Sequence, residues 1–491
     1  MLIGGLLFAV VATLNAGGYR YGASDQAFYI PAILHQLDPA LYPRDWSMLG
    51  AQGRYFLVDE IGAALVRVTG LPLPVWFAVA QAATLAALYA GAFALGRAVL
   101  ATPWGLVAWM AALTLRHRIA KTGANTLEGY FHPRMLVFGI GLIALADVVR
   151  GGRWRPLVLL LLSAALHPTT AALFLAIALV AIAVSDPRWR APVLYAGVGV
   201  GAVALAAVVP GVASIGLAPM DETWRALVAT KDYTFPTTWS LSTWVTNLAG
   251  PVVLVAVAWA RHRVGALTAR EAGLVAGCLA LVAGFLVSLP FIAAGVPFAV
   301  QLQTSRAFWP VEVVATLFLV WWLVERTARG ASRAGLARAI AGVLVTVSVA
   351  RGVYVGFIES PDRPTFAFDL PADDWGQALA WIRTHTPATA YVLADPGHAW
   401  KPGMGTAVRI GAARDVYLEE TKDVAMAMYS QDAAHRVAAR IEATQGFDTL
   451  SADALRAFAA GEGLTHFVTT RVLDLPLAHR AGTVRVYALT P

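Results

Sequence analysis

Residues 271–293 read Glu-Ala-Gly-Leu-Val-Ala-Gly-Cys-Leu-Ala-Leu-Val-Ala-Gly-Phe-Leu-Val-Ser-Leu-Pro-Phe-Ile-Ala. After Glu271 the run carries no formal charge for the length of a bilayer-spanning helix, which needs about 20 predominantly apolar residues. Similar runs lie at about 2–17, 74–96, 102–115, 135–149, 156–166, 169–184, 191–210, 248–260, 308–325 and 339–357. With 271–293 they make eleven expected spans, counting the pair around His167-Pro168 as two. Several are shorter than a perpendicular helix requires. The first has no Lys or Arg ahead of it, so it reads as an uncleaved span and not as a secretory signal.

Composition agrees. Of 491 residues, 58% are apolar and 14% are charged, with a mean hydropathy of +0.63. An ordinary soluble domain has roughly 45–50% apolar and about 25% charged residues. These values exclude a disordered chain, a charge-built nucleic-acid binder and a purely soluble enzyme. The net charge of +7 is therefore a question of where the Arg residues sit. Only Lys121, Lys231, Lys401 and Lys422 are Lys, and with the Ala excess this reads as genomic base bias. Cys278 is the single cysteine, so no intramolecular disulfide can form.

The basic clusters set the topology. Arg150, Arg153 and Arg155; Arg188 and Arg190; Arg261, Arg263 and Arg270; and Arg326, Arg329, Arg333 and Arg338 fall in alternate connections. All four lie on one side only if 156–184 crosses twice or enters and returns, and short cytoplasmic loops are the basic ones. The N-terminus is then cytoplasmic and everything after Phe357 is outside. The outer face holds the loop 18–72, the segment 116–134, the His167-Pro168 turn, the loop 211–247 and the segment 296–307. Two domains are expected: a membrane domain over 1–357, with 18–72 as its first outer loop, and an extracytoplasmic α/β domain over 358–491. In the latter a helix at Asp373–Arg383, strands near 391–394, 416–418, 466–468 and 484–487, and helices over 422–444 and 451–461 suggest a partly parallel sheet. No internal repeat of fixed period occurs.

In this solvent polar residues are informative, since a charge at span depth is costly and is usually retained for a site or a pathway. Arg116, His117, Arg118 and Lys121 cluster on the outer face against the charge rule, which suits an anionic ligand or phospholipid headgroups. The first outer loop reads Tyr-Gly-Ala-Ser-Asp-Gln-Ala-Phe-Tyr-Ile-Pro over 21–31 and Leu-Tyr-Pro-Arg-Asp-Trp over 41–46. Ser24 is expected to cap a helix starting at Asp25, with Phe28, Ile33, Leu34 and Leu37 as one apolar face lying along the membrane surface. Asp25 then sits at the water boundary, where it either caps its helix, serves as a general base or holds a divalent metal such as Mg or Mn.

Glu128-Gly-Tyr-Phe-His-Pro-Arg134 places an acid, an imidazole and a guanidinium at the entry of the fourth span. Arg134 suits bidentate phosphate binding and His132 a hydrogen bond to the same group; the bland alternative is a polar helix start with Pro133 in its first turn. His167 interrupts a very apolar stretch where an unpaired imidazole would be expensive. Arg306, the lone base of a short outer connection, fits a lipid-phosphate contact or a structural salt bridge.

A short first span, a large first outer loop with an acid just after it, and an outward C-terminal α/β domain resemble the GT-C glycosyltransferase superfamily. The Trp-x5-Trp-Ile-x3-Thr-Pro stretch from Trp375 to Pro387 resembles the start of the outer domain in bacterial members. The resemblance implies a polytopic α-helical fold of about eleven spans in a bacterial cytoplasmic (inner) membrane. It implies sugar transfer from a polyprenyl-phosphate donor to a glycan, lipid or protein acceptor on the extracytoplasmic face. It makes Asp25 the catalytic residue and Asp45 a weaker second acid; Arg116, Arg118, Glu128, His132, Arg134, His167 and Arg306, singled out above, fit that chemistry as substrate-binding residues. The loop departs from the family in having no adjacent Asp-Asp or Glu-Asp pair, which leaves the metal unspecified. No phosphate-binding Gly loop and no zinc pattern is present. The competing classes are a secondary transporter or flippase of a lipid-linked or anionic substrate, and a scaffold presenting the tail to a partner.

Single-cysteine labelling tests the topology. Residues beyond 370 should react with an impermeant reagent from outside; reaction only from the cytoplasmic side contradicts it.

Overall fold

The computed structural model describes residues 2–53, 55–206, 218–326, 334–359, 361, 363–401 and 404–489. Arg329, Arg333 and the start of the expected 211–247 loop lie outside the described residues. The chain groups into two compact units. One comprises Met1–Tyr19, Val79–Pro219 and Lys231–Phe366; the other comprises Arg20–Ala78, Met220–Thr230 and Ala367–Pro491. The expected boundary at 357/358 follows the change in composition. Compactness instead groups most of the first outer loop with the C-terminal sequence.

In the first unit all eleven apolar runs are helical. They are α1 Leu2–Asn15, α2 Leu73–Val99, α3 Pro103–Thr114, α4 Pro133–Arg150, α5 Trp154–Ser163 and α6 Pro168–Ser185, then α7 Arg190–Ala206, α8 Leu241–Arg263, α9 Ala269–Ala293, α10 Phe308–Val320 and α11 Ala334–Val353. Helix α2 begins six residues earlier in the other unit. Among the described residues, six stretches are long and apolar enough to cross a membrane: Leu73–Val99, Pro168–Ser185, Leu241–Arg263, Ala269–Ala293, Pro297–Glu325 and Ala334–Ile358. Helices α1, α3 and α5 are apolar but shorter.

The chain turns back at His167, because α5 and α6 pack on each other and both pack on α4. Helices α4 and α6 have 18 residues each, about 27 Å at 1.5 Å per residue, close to the hydrocarbon thickness. They are matched end to end. The rings of His132 and His167, just ahead of each helix, are 5.9 Å apart, and at the other end Arg153 and Asp186 are 2.8 Å apart.

Glycine sets the tightest helix crossing. A Cβ on Gly273 of α9 would lie 2.6 Å from the Ala181 carbonyl oxygen of α6, and one on Gly277 closer still to that of Ile177. The Gly273-Leu-Val-Ala-Gly277 spacing thus lets two backbones meet, the small-residue solution of helices that gain little from the hydrophobic effect in lipid.

Polar residues seal helix ends. Thr268 and Glu271 form a capping box at the start of α9, and Glu271 also accepts from Arg261 Nη2 at 2.5 Å. Glu325 Oε1 accepts from the backbone N–H and the hydroxyl of Thr102, at 2.7 and 3.0 Å, where α3 begins.

The second unit holds a five-stranded sheet: β1 Tyr391–Ala394, β2 Asp415–Val416, β3 His466–Thr469, β4 Leu477–Ala481 and β5 Val484–Ala488. Their spatial order is β2-β1-β3-β5-β4. Strand β1 runs parallel to β2 and β3, while β5 runs antiparallel to β3 and β4. All of β1 is buried, as a central parallel strand should be. Trp375, Leu379 and Ile382 of helix Asp374–His385 pack into the core with Val392, Val468 and Val486. The helix expected over 422–444 is two, Glu420–Ala427 and Gln431–Ala443, because Ser430 accepts from Ala433 N and starts a new one. Strand β4 escapes the sequence reading because an exposed edge strand needs no apolar alternation.

The first-loop helix also differs from expectation. It spans Gln26–Leu37, and Ala27, Tyr29, Ile30, Pro31, Ala32 and Ile33 are buried. It is a core helix of this unit and not one laid along a membrane surface. Ser24 precedes it with φ of +49°, leaving Asp25 at the N-cap position.

Gly277→Leu should lower the stability of the solubilised protein by about 1–3 kcal/mol through overpacking. Gly284→Leu, on the same helix with nothing within 4 Å of the added carbon, should leave the thermal melt unchanged. Equal melts for the two variants would contradict the close crossing.

Candidate functional site

The first unit gathers five of the expected site residues, Glu128, His132, Arg134, His167 and Arg306, from three separate segments. His132 and His167 each occupy an N-cap, and each is followed by Pro at the first helical position. His132 Nδ1 accepts from Arg134 N at 3.2 Å, and His167 Nδ1 from Thr170 N at 3.3 Å. An imidazole whose Nδ1 is the acceptor carries its proton on Nε2 when neutral. Both rings are buried. Burial first, then the neighbouring His132, Arg306 and Arg134, hold His167 well below the usual imidazole range, so it stays neutral.

Arg134 is buried against Glu128, its ion-pair partner. Glu128 is placed by a close approach: a Cβ on the next residue, Gly129, would collide with the Gly18 carbonyl oxygen, so only glycine fits there. Gln81 adds a bond from its side-chain amide to the Glu128 carbonyl oxygen at 3.1 Å, a contact that no motif around Gln81 signals. Arg306, half-buried, donates from Nε to the Thr122 carbonyl oxygen at 3.4 Å and lies over the Tyr233 ring at 5.8 Å. The 117–126 hairpin carries Thr122 and is closed by the Arg118–Asn125 bridge.

Arg116 and Arg118 are exposed and stand apart from this buried group. Between them His117 bonds the Ala112 carbonyl oxygen at 2.9 Å and Glu312 at 3.2 Å. Lys121 pairs with Asp232 at 2.8 Å. The buried group around His132 and His167 is positive overall: the guanidiniums of Arg134 and Arg306, two imidazoles and two helix N-termini stand against the single carboxylate of Glu128. Such a site suits a phosphate.

The expected acids of the first loop lie in the second unit. The Asp25 side chain makes no cap bond, so the capping role considered for it does not hold. Its Oδ1 accepts from Lys422 Nζ at 2.8 Å, and the carboxylate is 23% exposed, which leaves it reachable.

Asp45 is different. It has no exposed surface, and its Oδ2 accepts from Arg409 Nε at 2.8 Å and Val416 N at 3.1 Å. Arg409, fully buried, also pairs with Glu419 at 3.1 Å and Asp423 at 2.5 Å. Burial raises the Asp423 carboxyl against the pull of Arg409; at Glu419 Arg409, His398 and the Arg409 backbone N–H together outweigh burial and hold the carboxyl at about 2. Asp415 accepts from the backbone N–H of Arg44 and of Asp45, at 3.0 and 2.9 Å, and burial and the Asp45 charge push its carboxyl up to about 6. Asp45 therefore belongs to a buried ion network and not to a surface that a substrate meets.

For a divalent metal the fit is poor. Asp25 faces an ammonium and not further carboxylates, and among the described residues no three His, Cys, Asp or Glu side chains group as ligands.

No protein-family model matches the chain, and no curated protein does. Among solved structures it is similar to the archaeal oligosaccharyltransferase AglB from Archaeoglobus fulgidus, in complex with an inhibitory peptide and a dolichol-phosphate, and to the oligosaccharyltransferase of that organism in the apo form. Each aligns with 95% of this chain and 69% of its own, at 11% identity and a TM-score of 0.47.

Proposed function

We propose that this chain is a membrane glycosyltransferase that moves a sugar from a polyprenyl-phosphate donor to an acceptor hydroxyl on the extracytoplasmic face. The carrying observation is the meeting of His132, Arg134, His167 and Arg306 at one end of α4 and α6. In the proposed topology all eleven helices cross, the N-terminus is cytoplasmic and this end faces out, at the depth of a lipid phosphate.

In the proposed reaction Asp25 takes the proton of the acceptor hydroxyl. The acceptor oxygen forms a bond to the anomeric carbon, and the bond from that carbon to the phosphate oxygen breaks with inversion. Polyprenyl phosphate leaves with the electron pair. Negative charge grows on the phosphate in the transition state, where fixed donors act most strongly. Arg134, Arg306 and the Nε2–H of neutral His167 supply them. Arg116 and Arg118, being exposed, would attract anionic lipid to this face.

Asp25→Asn should lower transfer by about 10²- to 10⁴-fold, the usual worth of a general base, with a near-normal melt because no cap bond is lost. Arg306→Ala should raise the donor KM tenfold or more, matching about 1.5–3 kcal/mol for a charged hydrogen bond. The assay is transfer from a polyprenyl-phosphate sugar pool in membranes, beside a melt of each variant. Near-normal transfer by Asp25→Asn would remove Asp25 as the base.

A further inference from the structure

The opposite ends of α4 and α6 form a second polar site. An open cleft of about 540 Å³ there is lined by Gly151, Arg153, Trp154, Arg188, Trp189 and Pro192. Buried Asp186 holds two guanidiniums side by side: Arg153 Nη2 lies 2.8 Å from Oδ2, and Arg188 forks both oxygens at 3.1 Å. One carboxylate thus carries two cations, so the cleft keeps an excess positive charge. These pairs use one N–H of Arg153 and two of Arg188, out of five on each guanidinium.

The surroundings add to the charge. Arg150, Arg155, Arg190 and Arg270 flank the cleft in sequence or in space, Arg270 donating to the Arg150 carbonyl oxygen at 2.9 Å. Against six Arg the same segments carry Asp147, Asp186 and Glu271, the last paired with Arg261. The site is also aromatic: Trp154 and Trp189 meet edge to face at 4.7 Å, and Trp154 is 71% exposed. From Trp154 an apolar stripe runs outward along α5 through Val158, Leu161 and Leu162, all exposed at helical spacing.

The geometry points to a binding site for one anionic phospholipid. The Arg153–Arg188 pair would hold its phosphodiester headgroup, the two Trp rings would lie at the interface and the stripe on α5 would lie along its acyl chains. Basic pockets between membrane helices on the cytoplasmic side hold anionic headgroups in this way, and interfacial Trp marks the level of the headgroups. The leaflet follows from the proposed topology, in which this end is cytoplasmic; the chemistry of the cleft does not depend on it. A soluble anion would need no apolar stripe.

The full-length protein in a neutral detergent supplies the test. Its melting temperature is followed while dioleoyl phosphatidylglycerol, dioleoyl phosphatidylcholine or inorganic phosphate is titrated in. Phosphatidylglycerol should raise the midpoint with saturation, and the other two should not. Arg188→Gln, at an exposed side chain, should weaken the apparent affinity for phosphatidylglycerol at least tenfold, and Arg188→Lys should recover part of it. Native mass spectrometry of each variant should show one retained lipid in the wild type and loss of it in Arg188→Gln. An equal rise with phosphatidylcholine, a rise with phosphate alone, or unchanged affinity in Arg188→Gln would each overturn the site.

Discussion

A helix end is the costliest part of an apolar bundle. Four N–H groups and four carbonyls lack partners at each helix terminus, and hydrocarbon offers none. This chain answers with side chains sent from neighbouring segments. Glu325 closes the start of α3 through Thr102, and the Thr268–Glu271 box closes α9 while Glu271 holds Arg261. Each cap ties two elements together, so sealing an end also fixes how its helices pack.

The candidate site uses the same device. His132 and His167 are caps before they are anything else, and capping through Nδ1 sets which ring nitrogen carries the proton. Burial keeps His167 neutral, so it can donate a hydrogen bond without bringing a second buried charge. The equal lengths of α4 and α6 bring the two caps level, and Arg134 and Arg306 supply the charge. In the second unit the corresponding fixed point is Arg409, whose three carboxylate partners come from the first loop and from the helix after β2. Removing one partner of such a buried network is costly, about 3–5 kcal/mol, because it strands the remaining charge.

Much of this was legible in the sequence, and the reasons for the misses are specific. The eleven helical runs are plain because lipid permits so few charges. His167 stands out by its cost in apolar surroundings, and Glu128–Arg134 by its density of polar groups. Their meeting was not legible, although two His-Pro steps each followed by an apolar stretch were a usable sign of matched helix starts. Asp45 misleads because its partner Arg409 is 364 positions away. Asp25 misleads in part: its position suggests a cap, but its carboxylate goes to Lys422, 397 positions away. The first-loop helix misleads because an amphipathic pattern says that a face is covered and not what covers it.

In the proposed function His132, Arg134, His167 and Arg306 hold a lipid phosphate. This is tested most directly by crosslinking with a polyprenyl phosphate carrying a photoreactive group beside the phosphate, followed by peptide mapping. Adducts are expected on the segments around 128–134, 167–170 and 301–306, competed away by unlabelled polyprenyl phosphate. Adducts confined to other segments, or labelling that the competitor does not reduce, would contradict it.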